Sequence, residues 1–194
     1  LGTGGYLIAG FAAGNAPPNS SSMHPSRFFQ FCPRCGRAQT QSAEVRSFRC
    51  HACDFLYYFN PAIAVAAFIR DRDERVLFIR RAKDPARGKL AIPGGFIDSA
   101  ETAEEACRRE VREEVNLDLT TLEFLCSQPN EYHYHGVTYP VLDVFFVART
   151  ETTQLASALD EVESVSWLEP RKVDPAEIAF PSMREALKRY LGRN

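Results

Sequence analysis

Glu110, Glu113 and Glu114 stand at positions i, i+3 and i+4 of the run Arg109-Glu110-Val111-Arg112-Glu113-Glu114. On a helix these positions share one face, with neighbouring Cβ atoms about 5–6 Å apart. Like charges placed so repel by roughly 0.2–0.5 kcal/mol per pair. A divalent cation held between them reverses that sign. Clustered hard oxygen ligands suit magnesium or manganese, the cations of phosphate chemistry. By composition alone the same run is a solvated acidic helix face, the usual fate of clustered charge.

A second ligand set lies nearer the N-terminus. Cys32-Pro33-Arg34-Cys35 and Cys50-His51-Ala52-Cys53 are two CxxC knuckles separated by fourteen residues. Each aims two thiolates at one point, and four thiolates make a tetrahedral site suited to zinc. Such a site has no open position for a reacting water, so its expected role is to hold a fold too small for a core of its own. The alternative, a redox dithiol, calls for a single thioredoxin-like CxxC. His51 is expected to be a spectator. Cys107 and Cys126, with nothing nearby to activate them, read as small buried apolar residues.

The elements that must position these groups follow from local signals. Thr102 can cap a helix while Glu105, three residues on, reaches back to complete a capping box. The helix then runs to about Val115. Ala103, Ala106, Cys107, Val111 and Val115 form its apolar stripe. Asn116 lies just past the end, where a left-handed residue is usual and asparagine ranks next to glycine.

Upstream, Ala62 to Ile69 is an apolar run that reads as a strand buried on both faces. The charged turn Asp71-Arg72-Asp73-Glu74 and the run Val76 to Ile79 complete a hairpin. Leu122 to Ser127, Val137 to Ala148 and Ser164 to Trp167 read as further strands. Pro181 to Leu191 reads as a helix opened by proline, with Met183, Ala186, Leu187, Tyr190 and Leu191 on its apolar side. In the small module, Ala43 to Arg49 and Phe55 to Phe59 read as strands.

Composition sets the outer limits. The chain has 194 residues, 45% of them hydrophobic, and a net charge of −2. One ordinary domain plus a small module is expected, with no general attraction to nucleic acid or membrane. No apolar run approaches the roughly 18 residues that span a bilayer. Residues 1–26 contain no Lys, Arg, Asp or Glu and are rich in small residues. They lack the basic start of a secretory signal. They read as a mobile leader or appended tail, with Met23 a candidate native start, and the remainder reads as a cytoplasmic protein.

The spacing of the acidic segment carries a resemblance. Gly95, five residues, Glu101, seven residues, Arg109-Glu110, an aliphatic, one residue, Glu113-Glu114, one residue, Asn116, Leu117: this closely resembles the Nudix box, departing from it at Asn116, where that family has glycine. The resemblance implies an α+β fold, a Nudix α/β/α sandwich with a mixed sheet. The cysteine module resembles a zinc ribbon. The expected organisation is therefore a leader at 1–26, a zinc ribbon at 27–59 and a Nudix hydrolase domain at 60–194.

What the resemblance implies for the site is specific. Glu110, Glu113 and Glu114 would bind magnesium or manganese. The carbonyl of Gly95 or Gly94 would complete the coordination. Arg109 would orient the box glutamates, with Glu101 or Glu113 as its partner and Glu101 structural. Nudix enzymes often carry a further glutamate about six residues before an aromatic. Glu161, ahead of Trp167, fits that spacing, although it reads equally as an exposed loop acid. Cys32, Cys35, Cys50 and Cys53 would bind zinc.

The implied reaction is metal-dependent hydrolysis of a pyrophosphate bond in a nucleoside diphosphate derivative: NAD(H)-like, ADP-ribose-like or a dinucleotide. A zinc ribbon before a Nudix domain resembles the NADH pyrophosphatase subgroup, whose members act on NAD(H) and in some cases NAD-capped RNA. That subgroup carries SQPWPFP after the box. Here the segment is Ser127-Gln128-Pro129-Asn130-Glu131-Tyr132-His133, matching only its first three residues.

Ser127, Gln128, Tyr132 and, from the basic cluster Arg80, Arg81, Lys83, Arg87 and Lys89, Arg81 are the candidates for binding substrate. Tyr132, Tyr134 and Tyr139 can stack on a base or simply pack. A homodimer is left open. The rival class is a zinc-ribbon nucleotide- or RNA-binding protein with an inactive Nudix domain. Against it stand the intact carboxylates and the small local excess of Arg34, Arg37, Arg46 and Arg49 over Glu44 and Asp54.

Overall fold

The structure, a computed structural model, describes residues 23–38, 45–159 and 161–193. Residues 1–22 of the expected leader lie outside them, as do Ala43 and Glu44 of the first expected ribbon strand. Met23 pairs alongside the start of a later strand: its N–H donates to the Gly136 carbonyl at 3.2 Å, and its carbonyl accepts from the Thr138 N–H at 3.0 Å.

The small module holds an antiparallel pair, β1 (Ser47–Arg49) and β2 (Leu56–Tyr58). β1 ends at Arg49 as expected, where the Cys50 knuckle begins, and β2 spans three of the five residues expected. The core here is Cys32, Phe48 and Cys50, against which Phe29, Phe55 and Phe59 pack. So little apolar material cannot hold a fold by itself.

The larger module is built on a mixed sheet. Its strands are β3 (Ala62–Arg70), β4 (Val76–Arg81), β5 (Leu90–Ala91), β6 (Gly94–Phe96), β7 (Thr121–Tyr134), β8 (Val137–Arg149) and β9 (Val162–Leu168). Helix α1 (Ala103–Val115) lies between β6 and β7, and α2 (Pro181–Leu191) follows β9. The order is β5-β4-β3-β8-β7, with β6 also on β3 and β9 also on β4.

Alternation of side chains along each strand serves two cores. Val65, Ala67 and Ile69 of β3, with Leu77 and Ile79 of β4 and Phe146 and Ala148 of β8, pack with Ala106, Cys107, Val111 and Val115 of α1. Their neighbours Ala66, Phe68, Val76, Phe78, Phe145 and Val147 pack with Ala186, Leu187 and Tyr190 of α2. One sheet between two helices is the α/β/α sandwich expected. Among the described residues no helix is long and apolar enough to cross a membrane.

The hairpin expected of β3 and β4 has its turn but almost no ladder. Asp71 organises the turn, its Oδ1 accepting from the N–H groups of Asp73 and Arg75 at 2.9 and 2.8 Å. Beyond Arg70 and Val76 the two strands part. β3 pairs in parallel with β8 over its whole length and takes β6 on its other edge. β4 turns away to β9 and β5. The wedge between them is where the site lies.

Candidate active site

A cavity of about 700 Å³ opens in that wedge. Ala64 to Ala66 of β3 and Gly94 to Phe96 of β6 form one wall, with Glu110, Glu113 and Glu114 of α1 projecting into it. Arg81, Lys83 and Glu161 stand at the β4 side, and Asn130, Tyr132, Tyr134, Asp143, Phe180 and Met183 form the opposite wall.

Local signals place α1. Thr102 accepts from the Glu105 N–H at 3.2 Å while Glu105 accepts from the Thr102 N–H at 2.9 Å, the capping box expected. Asn116 ends the helix in the left-handed region at φ 56°. That fixed register puts the three glutamates on the cleft face and the apolar stripe on the sheet.

Glycine brings the backbone against them. A Cβ at Gly95 would come within 2.5 Å of the Glu110 carboxyl, and one at Gly94 within 2.0 Å of the Val65 carbonyl oxygen. The Gly94 N–H donates to Glu114 Oε2 at 2.9 Å.

Arg109 ties the acids together. Its Nε and Nη2 donate to Glu101 at 2.7 and 2.9 Å, and its Nη1 donates to Glu110 at 2.7 Å and Glu113 at 3.1 Å. Nη2 also reaches the Phe96 carbonyl at 3.1 Å. Of its two expected partners, Glu101 and Glu113, Arg109 holds both, and Glu110 as well.

The titrations divide accordingly. Arg109 and the Asp98 N–H hold the Glu101 carboxyl down at about 2. Burial raises Glu110 against the pull of Arg109. Burial pushes Glu114 up to about 8, opposed by the Gly94 N–H and assisted by the charges of Glu110 and Glu161.

This donor set fits a divalent cation. Carboxylates crowded in a buried wall resist ionising until a positive charge joins them. Only a glycine at 95 leaves room for them against the strand. In the arrangement seen, Glu110 and Glu113 are turned onto Arg109 and Glu114 onto Gly94, so they share the cleft without closing on one point.

The cysteines do close. Among the described residues they alone bring three or more ligand atoms within 4.8 Å of one another. Cys32 and Cys53 sulfurs are 3.7 Å apart, as are those of Cys35 and Cys50. A tetrahedron with metal–sulfur bonds of about 2.3 Å has edges of about 3.8 Å. The N–H groups of Arg34 and Ala52 donate to the Cys32 and Cys50 sulfurs at 3.4 Å. Cys107, as expected, is a buried apolar residue of the α1 core, its thiol pushed by burial up to about 12.

The substrate candidates separate. Arg81 lines the cleft, its Nε donating to the Pro85 carbonyl at 2.8 Å and its guanidinium 5.2 Å from the Phe180 ring centre. Tyr132 lines it too, 6.4 Å from Phe180 and edge-on to Phe96 at 5.5 Å. Glu161 lines it and pairs with Lys83 at 3.1 Å. Ser127 and Gln128 lie on β7 outside the cleft lining, which begins at Asn130, because β7 runs on to Tyr134, well past the end expected. Tyr139 pairs across from Tyr132 but does not line the cavity.

Asn130, Asp143 and Phe180 also line the cleft, and no local motif marks them in the sequence. Asp143 is a lone acid within the apolar run Val141 to Val147. Phe180 directly precedes the helix-opening Pro181.

The NAD-capped RNA hydrolase NudC of Vibrio cholerae is 24% identical over 152 residues, 78% of this chain and 54% of its own length. An ADP-ribose pyrophosphatase of Methanocaldococcus jannaschii is 45% identical over 60 residues, 31% of this chain and 35% of that protein. The chain thus spans about half the length of the NudC relative and a smaller share of the other. A NUDIX hydrolase structure from Nitrosomonas europaea superposes with a TM-score of 0.64 at 24% identity, covering 85% of this chain and 92% of that one, which establishes the likeness of fold. The NUDIX domain family model matches residues 60–190, and the chain belongs to the Nudix family.

Proposed function

We propose that this chain hydrolyses a pyrophosphate bond in a nucleoside diphosphate derivative, with a divalent cation as cofactor. The observation that carries the reading is the pairing, in one cleft, of three helix-borne glutamates with two cationic side chains and an aromatic wall. The relatives' names, NAD-capped RNA hydrolase and ADP-ribose pyrophosphatase, support the same class of bond.

Glu110, Glu113, Glu114 and the Gly95 carbonyl would hold magnesium or manganese. Bound there, a cation would neutralise phosphate charge and acidify a water. Arg109, anchored on Glu101, orients Glu110 and Glu113 by donating to both. Gly94 fixes one oxygen of Glu114, leaving the other for the cleft. Arg81 and Lys83 take phosphate oxygens on the far side, and Glu161 anchors Lys83 and stands ready to accept a proton. Tyr132, Tyr134 and Phe180 offer flat surfaces to a base. In the small module Cys32, Cys35, Cys50 and Cys53 would hold zinc as a structural ion.

The substrate panel that tests this is NADH, NAD, ADP-ribose, dinucleoside polyphosphates, FAD and nucleoside triphosphates, each with magnesium and manganese. Cation-dependent release of a nucleoside monophosphate from at least one diphosphate derivative is expected. Tight RNA binding with no cleavage of any panel member would overturn the reading in favour of a binding protein.

A further inference from the structure

Asp143 is 8% exposed and belongs to no ion pair among the described residues. It lies on β8 in the lining of the cleft, apart from the glutamates of α1. Two neutral donors hold it, Asn130 Nδ2 at 2.9 Å and Ser182 Oγ at 2.5 Å, and both reach the same oxygen, Oδ2. Oδ1 accepts from no described residue, and Asp143 lines the cavity. Burial raises this carboxyl above its ordinary range. Burying an acid without a cation is costly. Docking α2 onto the sheet accounts for the oxygen that Ser182 occupies, and leaves the other unexplained.

An acid at this end of the cleft repels phosphate and requires a donor. Its neighbours say which kind. Asn130 is two residues before Tyr132 on the same face of β7, and Ser182 is two residues after Phe180, so the polar trio adjoins the aromatic wall. A flat ring stacked there presents its edge to Oδ1. Asn130 spends one amide hydrogen on Asp143 and keeps a second. An acceptor beside a donor complements an exocyclic amine next to a bare ring nitrogen.

We propose that Asp143, held by Asn130 and Ser182, is the specificity-determining acceptor of the cleft and selects a 6-aminopurine or 4-aminopyrimidine base over its deaminated counterpart. This rests on the nucleotide reading above and adds the base to it. Hypoxanthine turns an oxygen toward the carboxylate where adenine turns an amine. Because both protein donors use Oδ2, Asp143→Asn can keep them on its amide oxygen and present NH2 in place of Oδ1, reversing what the site asks for.

The test compares AMP with IMP by titration calorimetry in magnesium. Neither contains a pyrophosphate bond, so they report on base recognition alone. In parallel, kcat/KM is measured for ADP-ribose and its hypoxanthine analogue. Wild type should prefer the adenine member by roughly 10- to 100-fold, the worth of one hydrogen bond to a charged group. Asp143→Asn should erase or invert the ratio, and Ser182→Ala should lower the melting temperature with the preference retained. Equal wild-type affinities, an unchanged ratio in Asp143→Asn, or no binding of either monophosphate would overturn the proposal. The wild-type ratio decides the matter even if the variant fails to fold. Base selectivity without turnover would sink the hydrolase reading alone, and turnover without selectivity would sink only this one.

Discussion

Arg109 grips Glu101 with two parallel hydrogen bonds of 2.7 and 2.9 Å while its remaining nitrogen spans Glu110 and Glu113. A planar fork can do this and an ammonium cannot. Arg109→Lys should therefore lower kcat/KM by about 10- to 100-fold, the usual cost of losing a group that orients metal ligands. Helical content should be retained, since α1 is held by its apolar stripe. Steady-state kinetics and circular dichroism check both halves.

The same pair sets an acid limit. Glu101 has its carboxyl depressed to about 2 in the folded chain against 4.5 ordinarily. Its contribution to stability is thus fully present above about pH 4.5 and is lost as pH falls toward 2. Glu101→Gln should be less stable than wild type at pH 6, and the gap should close on acidification. Chemical denaturation at several pH values measures it; a gap that stays constant would remove Glu101 from the account.

Glu114 runs the opposite way. Its carboxyl is raised to about 8, so the folded chain holds a proton there that the unfolded chain gives up. Without a cation, stability from this group falls as pH rises from about 4.5 to 8. Magnesium should restore it, and Glu114→Gln should abolish both the pH slope and the magnesium-dependent rise in Tm. Turnover in Glu113→Gln and in Glu114→Gln should drop by roughly 100-fold or more with the fold intact. Near-normal rates in both would remove them as ligands.

Gly94 and Gly95 are adjacent and should fail differently. Gly95→Ala drives a methyl into the Glu110 carboxyl, the end of a side chain that can move, so activity should collapse with a small loss of stability. Gly94→Ala meets the Val65 carbonyl and Ala66 backbone, which cannot move, so stability should fall by about 1–3 kcal/mol or more. Melting curves beside activity assays distinguish them.

The cysteine module should depend on its ion. Metal analysis should find zinc in the wild-type chain and none in Cys50→Ser. A chelator should loosen residues 27–59, detected as faster amide exchange, while exchange in α1 and α2 stays slow. Uniform exchange throughout would mean that the two modules unfold together.

What the sequence discloses here is what short-range chemistry decides. Thr102, Glu105 and Asn116 bound α1 because caps are made by neighbours, and Pro181 opens α2 for the same reason. The CxxC knuckles are equally local. The parallel match of β3 with β8, the parting of β3 from β4, and the wall of Asn130, Asp143 and Phe180 depend on residues far apart in the chain. Nothing in Ala62 to Ile69 tells which strand will lie beside it. Ser127 and Gln128 stand in the stretch that resembles the subgroup motif, and the extra length of β7 carries the cleft lining past them.

The parting of β3 and β4 has a practical corollary. The three glutamates hang from α1 against the glycines of β6, whereas Asn130, Tyr132, Asp143 and Phe180 belong to β7, β8 and the approach to α2. Directed evolution confined to the latter group should redraw the range of accepted nucleotides while the demand for a divalent ion stays as it was.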